Sequence, residues 1–161
     1  MALHQALFLC TRKMGEAMKQ CIQVLVADDR LRCRDGLRAL LANWPTVEVV
    51  CEAADGWEAV RLVEERQPDV VLMDVRMPVL DGLEATRIIK SRWPEVKVVV
   101  LTMYAMYRAD ALAAGADGFV LKGCPSEDLL EAISCHRRSD GKAEESVSGI
   151  VIRTARAYCV S

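Results

Sequence analysis

Asp28 and Asp29, Asp74, Thr102 and Lys122 each stand at the end of a short apolar, β-branched run, and together they form a chemically coherent set. In an open parallel α/β sheet the ligand site lies beyond the carboxyl ends of the strands, so residues in these positions converge on one edge. Three carboxylates brought together repel one another and raise at least one pKa unless a cation sits among them. A divalent metal is therefore implied. All-oxygen donors with carboxylates fit Mg²⁺, which binds through one or two carboxylates plus a phosphate and keeps several waters. The remaining pair suits a phosphoryl group: Lys122 offers a compact ammonium to one phosphoryl oxygen and Thr102 a hydroxyl donor to another. Asp74, between metal and donors, is placed to act as a nucleophile and carry an aspartyl phosphate, with metal and Lys122 offsetting the incoming negative charge.

Such a cluster requires elements that deliver it. Five strands are predicted, Ile22–Asp28, Val47–Ala53, Asp69–Asp74, Val96–Thr102 and Asp117–Lys122, alternating with helical patterns in the rhythm of βα units. The first, third and fourth are nearly continuous apolar runs, as expected of central strands covered on both faces. The first helix carries the stripe Cys33, Leu37, Leu40, Leu41 and Trp44 and stops at Pro45; the second runs from about Trp57 to Arg66; the third covers about Leu83–Trp93. The fourth, about Ala105–Ala114, is the least amphipathic, and the fifth follows Pro125 with Ser126 as its expected N-cap. The fold class is α/β, a doubly wound five-stranded parallel sheet.

Singly, each site residue has an ordinary explanation. Asp28-Asp29 ends a strand and caps a helix, Lys122 is solvated, Thr102 is a β-former, Phe119 packs in the core and Asp81-Gly82 makes a turn. Their joint placement at successive strand ends carries the functional reading. In this order, Val26-Ala27-Asp28-Asp29, Met73-Asp74-Val75-Arg76-Met77-Pro78, Asp81-Gly82, Leu101-Thr102 and Gly118-Phe119-Val120-Leu121-Lys122 resemble the receiver domain of two-component response regulators over about Ile22–His136. The resemblance implies a flavodoxin-like (βα)5 fold that accepts a phosphoryl group on Asp74 from a sensor histidine kinase or phosphotransfer protein. It implies that Asp29 and Asp74 bind Mg²⁺ directly, Asp28 through water, and the main-chain carbonyl of Arg76 completes the set. Thr102 and Phe119 match positions that switch together, and the face of the fourth helix, fifth strand and fifth helix would change, with a homodimer as one use of it. The Met-Tyr after Thr102 resembles regulators with a helix-turn-helix output.

The chain also departs from the family pattern. Gly123-Cys124 separate Lys122 from Pro125, so no cis peptide is expected at Lys122. Arg76 and Tyr104 occupy positions that resemble those tuning phosphate lifetime. An aspartyl-phosphate hydrolase of the haloacid dehalogenase type would need an acid two residues after its nucleophile, where this chain has Arg76, so an enzyme is not expected. A receiver-like interaction module without phosphorylation, and the N-terminal receiver of a DNA-binding transcription regulator, are the remaining readings.

Composition bounds the rest. The 161 residues suit one domain, and 52% hydrophobic with 27% charged residues excludes disorder throughout. The net charge is −2; the flanks 1–21 and 137–161 are each +2, leaving −6 for residues 22–136, so direct nucleic-acid binding is not expected. Apolar runs are too short to cross a bilayer and no secretory signal is evident, which points to a cytoplasmic protein with no membrane contact. Seven cysteines, without a C-x-x-C pair, suggest neither a disulfide framework nor a zinc site. Residues 1–21 are an extension whose Leu3, Leu7, Cys10, Met14, Ala17 and Cys21 would share one helical stripe. Residues 137–161 are a tail: only 24 residues follow Arg137, against roughly 60 or more for a helix-turn-helix output domain.

Overall fold

The structure, a computed structural model, describes residues 21–134. The N-terminal stripe up to residue 20, the boundary at His136, the tail 137–161 and the cysteines at 10, 135 and 159 lie outside the described residues. Strands β1 (Ile22–Ala27), β2 (Val47–Ala53), β3 (Val70–Met73), β4 (Lys97–Thr102) and β5 (Gly118–Leu121) form one parallel sheet in the order β2-β1-β3-β4-β5. As the apolar runs require, β1, β3 and β4 are central, and all four residues of β3 are buried.

Alternation along the strands sends side chains to two helical layers. Leu25, Val71 and Val98 pack with α2 (Gly56–Arg66) and α3 (Gly82–Arg92), through Val63 and Ile89. Val24, Val26, Leu72 and Val99 pack on the other face with α1 (Leu31–Leu41) and α5 (Ser126–Ser134), through Leu41, Leu129 and Ile133. A smaller group of Val75, Val100, Ala111 and Ala116 seats α4 (Arg108–Ala113).

The expected boundaries need small corrections with a common cause. Asp28, Asp74 and Lys122, read as the last residues of their strands, lie just beyond β1, β3 and β5. Their amides still bond to the neighbouring strand, Asp28 N to Ala53 O at 3.0 Å, Asp74 N to Ala27 O at 2.8 Å and Lys122 N to Thr102 O at 2.9 Å, but the chain then turns out of the ladder. Helix α1 starts at Leu31 and ends at Leu41, leaving Trp44 to cover the core from the loop. The fourth helical segment opens as a 3₁₀ turn, Ala105–Tyr107, before α4, in keeping with its weak amphipathicity. Ser126 is the first residue of α5, not its cap. Among the described residues no peptide bond is cis.

Asp81-Gly82, expected as a turn, is the start of α3. The Asp81 carboxylate accepts from Glu84 N at 2.9 Å, and a Cβ on Gly82 would collide with the carbonyl oxygen of Asp74. Before it, Val79 has φ +66° and Leu80 N donates to Pro78 O at 2.8 Å, a γ-turn strained for a β-branched residue. Leu80 O in turn accepts from Gly56 N at 3.1 Å, so the segment after Asp74 is pinned to both α2 and α3. Gly82→Ala is expected to lower stability by about 1–3 kcal/mol, the usual cost of overpacking, seen as a lower urea midpoint with an unchanged slope. Gly36→Ala, where a Cβ meets nothing within 4 Å, is the control and is expected to be neutral or stabilising.

Candidate functional site

The sheet register sets the site. Ala27 pairs with Met73 and Thr102 with Leu121, so the residues that follow Ala27, Met73 and Leu121 emerge side by side at one edge. One carboxylate oxygen from each of Asp28, Asp29 and Asp74 lies within 4.8 Å of the others. Asp28 and Asp74 are buried and Asp29 is exposed. Lys122 joins them: its Nζ donates to Asp28 Oδ2 at 2.5 Å and lies 3.2 Å from Asp74 Oδ2. The other Asp28 oxygen accepts from Arg30 N at 2.9 Å, which serves the first turn of α1 in place of a side-chain cap.

Burial pushes the Asp74 carboxyl above its ordinary value; Lys122 opposes the rise and the charge of Asp28 adds to it. Burial works to lower the Lys122 ammonium, but its hydrogen bond and charge interactions with Asp28 and Asp74 outweigh this and raise it. For Asp74 the raised value means that ionisation costs folding free energy: its contribution to stability is full below the unfolded carboxyl range and is lost as pH rises through the folded value. Lys122, also raised, contributes stability below the unfolded lysine value that is lost only as pH rises through its folded one. Three carboxylates against one ammonium leave two negative charges, which a divalent cation matches, and all donors are oxygen.

The other expected residues stand around this cluster. Thr102 is buried, and its Oγ1 accepts from Tyr104 N at 3.4 Å, so the hydroxyl is engaged with the loop after β4. Phe119 is half-buried against Val100, Ala111 and Ala116, on the α4 side. Arg76 is exposed; its guanidinium donates to the Tyr104 hydroxyl at 3.2 Å and sits 5.3 Å over the ring. With Asp29, Arg30, Asp81 and Tyr107 it lines an open cleft of about 460 Å³.

Two contributors escaped the sequence reading. Arg34 donates to the main-chain carbonyl of Asp28 at 2.7 Å and to Glu52 at 3.2 Å, tying the end of β1 to β2. Tyr107 stands edge-on to Tyr104, with ring centroids 6.1 Å apart. Neither has a local signal, because each partner is defined by the fold or by a loop conformation.

A doubly wound sheet with three acids and a lysine at its carboxyl edge defines an α/β domain with an acidic pocket that could hold a metal ion. Residues 24–134 match the family model of the response regulator receiver domain, and the chain belongs to this family. Receiver domains of two-component response regulators are signalling domains that accept phosphoryl groups, bind Mg²⁺ at an acidic pocket and interact with histidine kinases and phosphotransfer proteins. The chain is 43% identical over 114 residues to the transcriptional regulatory protein DegU of Brevibacillus brevis, covering 70% of this chain and 48% of that one. It is 31% identical over 137 residues to the nitrate/nitrite response regulator NarL of Escherichia coli, covering 83% and 63%. Among solved structures, a two-component response regulator of the LuxR family from Aurantimonas is 36% identical, with a TM-score of 0.67 over 71% of this chain and 83% of that one. The receiver domain of a NarL regulator from Mycobacterium tuberculosis is 32% identical, with a TM-score of 0.67 over 71% and 94%. The chain spans about half to two thirds of the length of these curated relatives.

In metal-free buffer at neutral pH, Asp74→Asn is expected to raise the thermal unfolding midpoint by a few degrees, because it removes an ionised carboxylate that burial disfavours. Adding Mg²⁺ is expected to raise the midpoint of the unaltered protein more than that of the variant. Differential scanning fluorimetry with and without a chelator checks both.

Proposed function

We propose that Asp74 is the phosphoacceptor, with Lys122 and Thr102 as the residues that bind the transferred group. The observation that carries this is the Lys122 ammonium between Asp28 and Asp74, at an edge where three carboxylates meet. Asp28, Asp29 and Asp74, with the main-chain carbonyl of Arg76, would hold Mg²⁺. Bound there, the ion supplies charge neutralisation and a template for the phosphoryl oxygens. In the transfer a carboxylate oxygen of Asp74 forms a bond to phosphorus as the bond between phosphorus and the donor's histidine nitrogen breaks. Lys122 then has a phosphoryl oxygen to pair with, and the Thr102 hydroxyl leaves Tyr104 N to donate to another.

That movement is the basis of the switch. Thr102 and Phe119 lie on neighbouring strands, and Phe119 packs where α4 is seated, so withdrawal of the hydroxyl frees space for the ring to turn inward. The surface of α4, β5 and α5 changes with it and is the face for a homodimer or a downstream partner. The phosphodonor is a sensor histidine kinase or a phosphotransfer protein, and the setting is the cytoplasm; among the described residues no helix is long and apolar enough to cross a membrane. The chain is a signalling receiver, not an enzyme, and its negative core does not bind nucleic acid directly. Relatives that are transcriptional regulators support an output on transcription.

With Mg²⁺ and a small phosphodonor, mass spectrometry is expected to show one hydroxylamine-sensitive phosphoryl group, lost in Asp74→Asn and without metal. Unchanged labelling of the variant defeats the assignment. Beryllofluoride with Mg²⁺ is expected to alter hydrogen-exchange protection chiefly in residues 102–134, and a change confined to the helices beside β2 counts against the proposed face.

A further inference from the structure

Tyr104 joins two segments that leave adjacent strands. It stands two residues after Thr102 at the end of β4, and Arg76 stands two residues after Asp74, beyond the end of β3. The Tyr104 amide donates to Thr102 Oγ1 at 3.4 Å. Its hydroxyl accepts from Arg76 Nη1 at 3.2 Å, the Arg76 guanidinium carbon lies 5.3 Å from the centre of its ring, and Tyr107 stands edge-on to the same ring.

Little else fixes this stretch of chain. Tyr104 is 42% exposed, and its neighbours Met103 and Met106 are 61% and 77% exposed, so apolar burial contributes little to the conformation here. Directed contacts carry that task, and a hydrogen bond combined with a cation over the ring restrains both the position and the tilt of the tyrosine. The choice of partner is informative. Asp29 and Asp81 line the same cleft as Arg76, yet among the described residues Arg76 makes no ion pair and its guanidinium is directed to Tyr104.

We propose that Arg76 is a positioning residue for Thr102: by anchoring the Tyr104 ring it holds the loop after β4 in the conformation that places the Tyr104 amide on Thr102 Oγ1. The effect belongs to the metal-free, unphosphorylated protein and precedes any question of how long a phosphoryl group survives. Its consequence for uptake rests on the phosphoacceptor reading, in which the Thr102 hydroxyl leaves Tyr104 N for a phosphoryl oxygen. An anchored Tyr104 opposes that exchange, and by linkage a contact that favours the unphosphorylated arrangement lowers the affinity for a phosphoryl group by the same factor.

The test uses the full chain with carbon-13 in its threonine methyl groups, the Thr102 resonance being assigned by its loss in Thr102→Val. Tyr104→Phe removes only the hydroxyl acceptor and leaves the ring and the net charge unchanged; Arg76→Met removes the guanidinium, and Arg76→Gln replaces it if thermal melts show that it does not fold. Without metal, the Thr102 methyl resonance is expected to move in Tyr104→Phe and in Arg76→Met, and to move no further in the double variant than in Arg76→Met alone. An unchanged resonance in the folded variants, or shifts that add in the double variant, overturns the proposal, since a residue that only stabilises the fold would not couple to Thr102 through Tyr104. With saturating Mg²⁺, calorimetry is expected to show beryllofluoride binding several-fold more tightly to Tyr104→Phe than to the unaltered protein. Equal or weaker binding overturns the consequence for uptake alone. Absence of beryllofluoride binding in every form counts against the phosphoacceptor reading, while the methyl resonance still decides the positioning.

Discussion

One ammonium between two buried carboxylates is the interaction on which the rest of the site depends. Asp28 and Asp74 are 1% and 7% exposed, and ionised acids removed from water to that degree are costly unless a cation and hydrogen bonds compensate. Lys122 supplies the cation, and Arg30 N supplies a further donor to Asp28. The compensation is incomplete, since Asp74 remains raised by burial and by its acidic neighbour. The edge is thereby left short of positive charge, a deficit of the kind that a divalent cation offsets.

Holding this arrangement requires a frame that does not yield. The amides of Asp28, Asp74 and Lys122 bond to adjacent strands, so their positions follow the register of the sheet. Behind Asp74 the chain is confined by the absence of a side chain at Gly82 and at Gly56, where added carbons would strike the carbonyl oxygens of Asp74 and Leu80. The strained γ-turn at Val79 is tolerated because it lies on this confined path, and its side chain, 83% exposed, has no packing role that would oppose it. Arg34 braces the neighbouring strand end through the Asp28 carbonyl and Glu52.

A second group of contacts surrounds this frame. Tyr104 N donates to Thr102 Oγ1, and the Arg76 guanidinium donates to the Tyr104 hydroxyl and lies over its ring, so the three residues form a chain of contacts after β4. Phe119, half-buried, packs against the cluster of Val75, Val100, Ala111 and Ala116 that seats α4. On the opposite helical layer, a cavity lined by Cys33 and Cys124 adjoins the turn bearing Lys122.

The sequence by itself determined the alternation of five strands and five helices, the central places of β1, β3 and β4, and the membership of Asp28, Asp29, Asp74 and Lys122 in one cluster. These were legible because buried parallel strands are written as unbroken apolar runs and because strand ends in such a sheet share one edge. Tertiary structure decided what depends on distance between segments. It determined that Lys122 bridges Asp28 and Asp74, that Thr102 is turned toward Tyr104 N, and that Arg76 is held by Tyr104. It also made Asp81-Gly82 a helix start, since only the approach of α3 to the Asp74 carbonyl shows why no side chain fits there. Local periodicity encodes which face a residue occupies, whereas hydrogen-bond partners, close approaches and shared cavities arise between residues far apart in sequence and exist only once the sheet has brought them together.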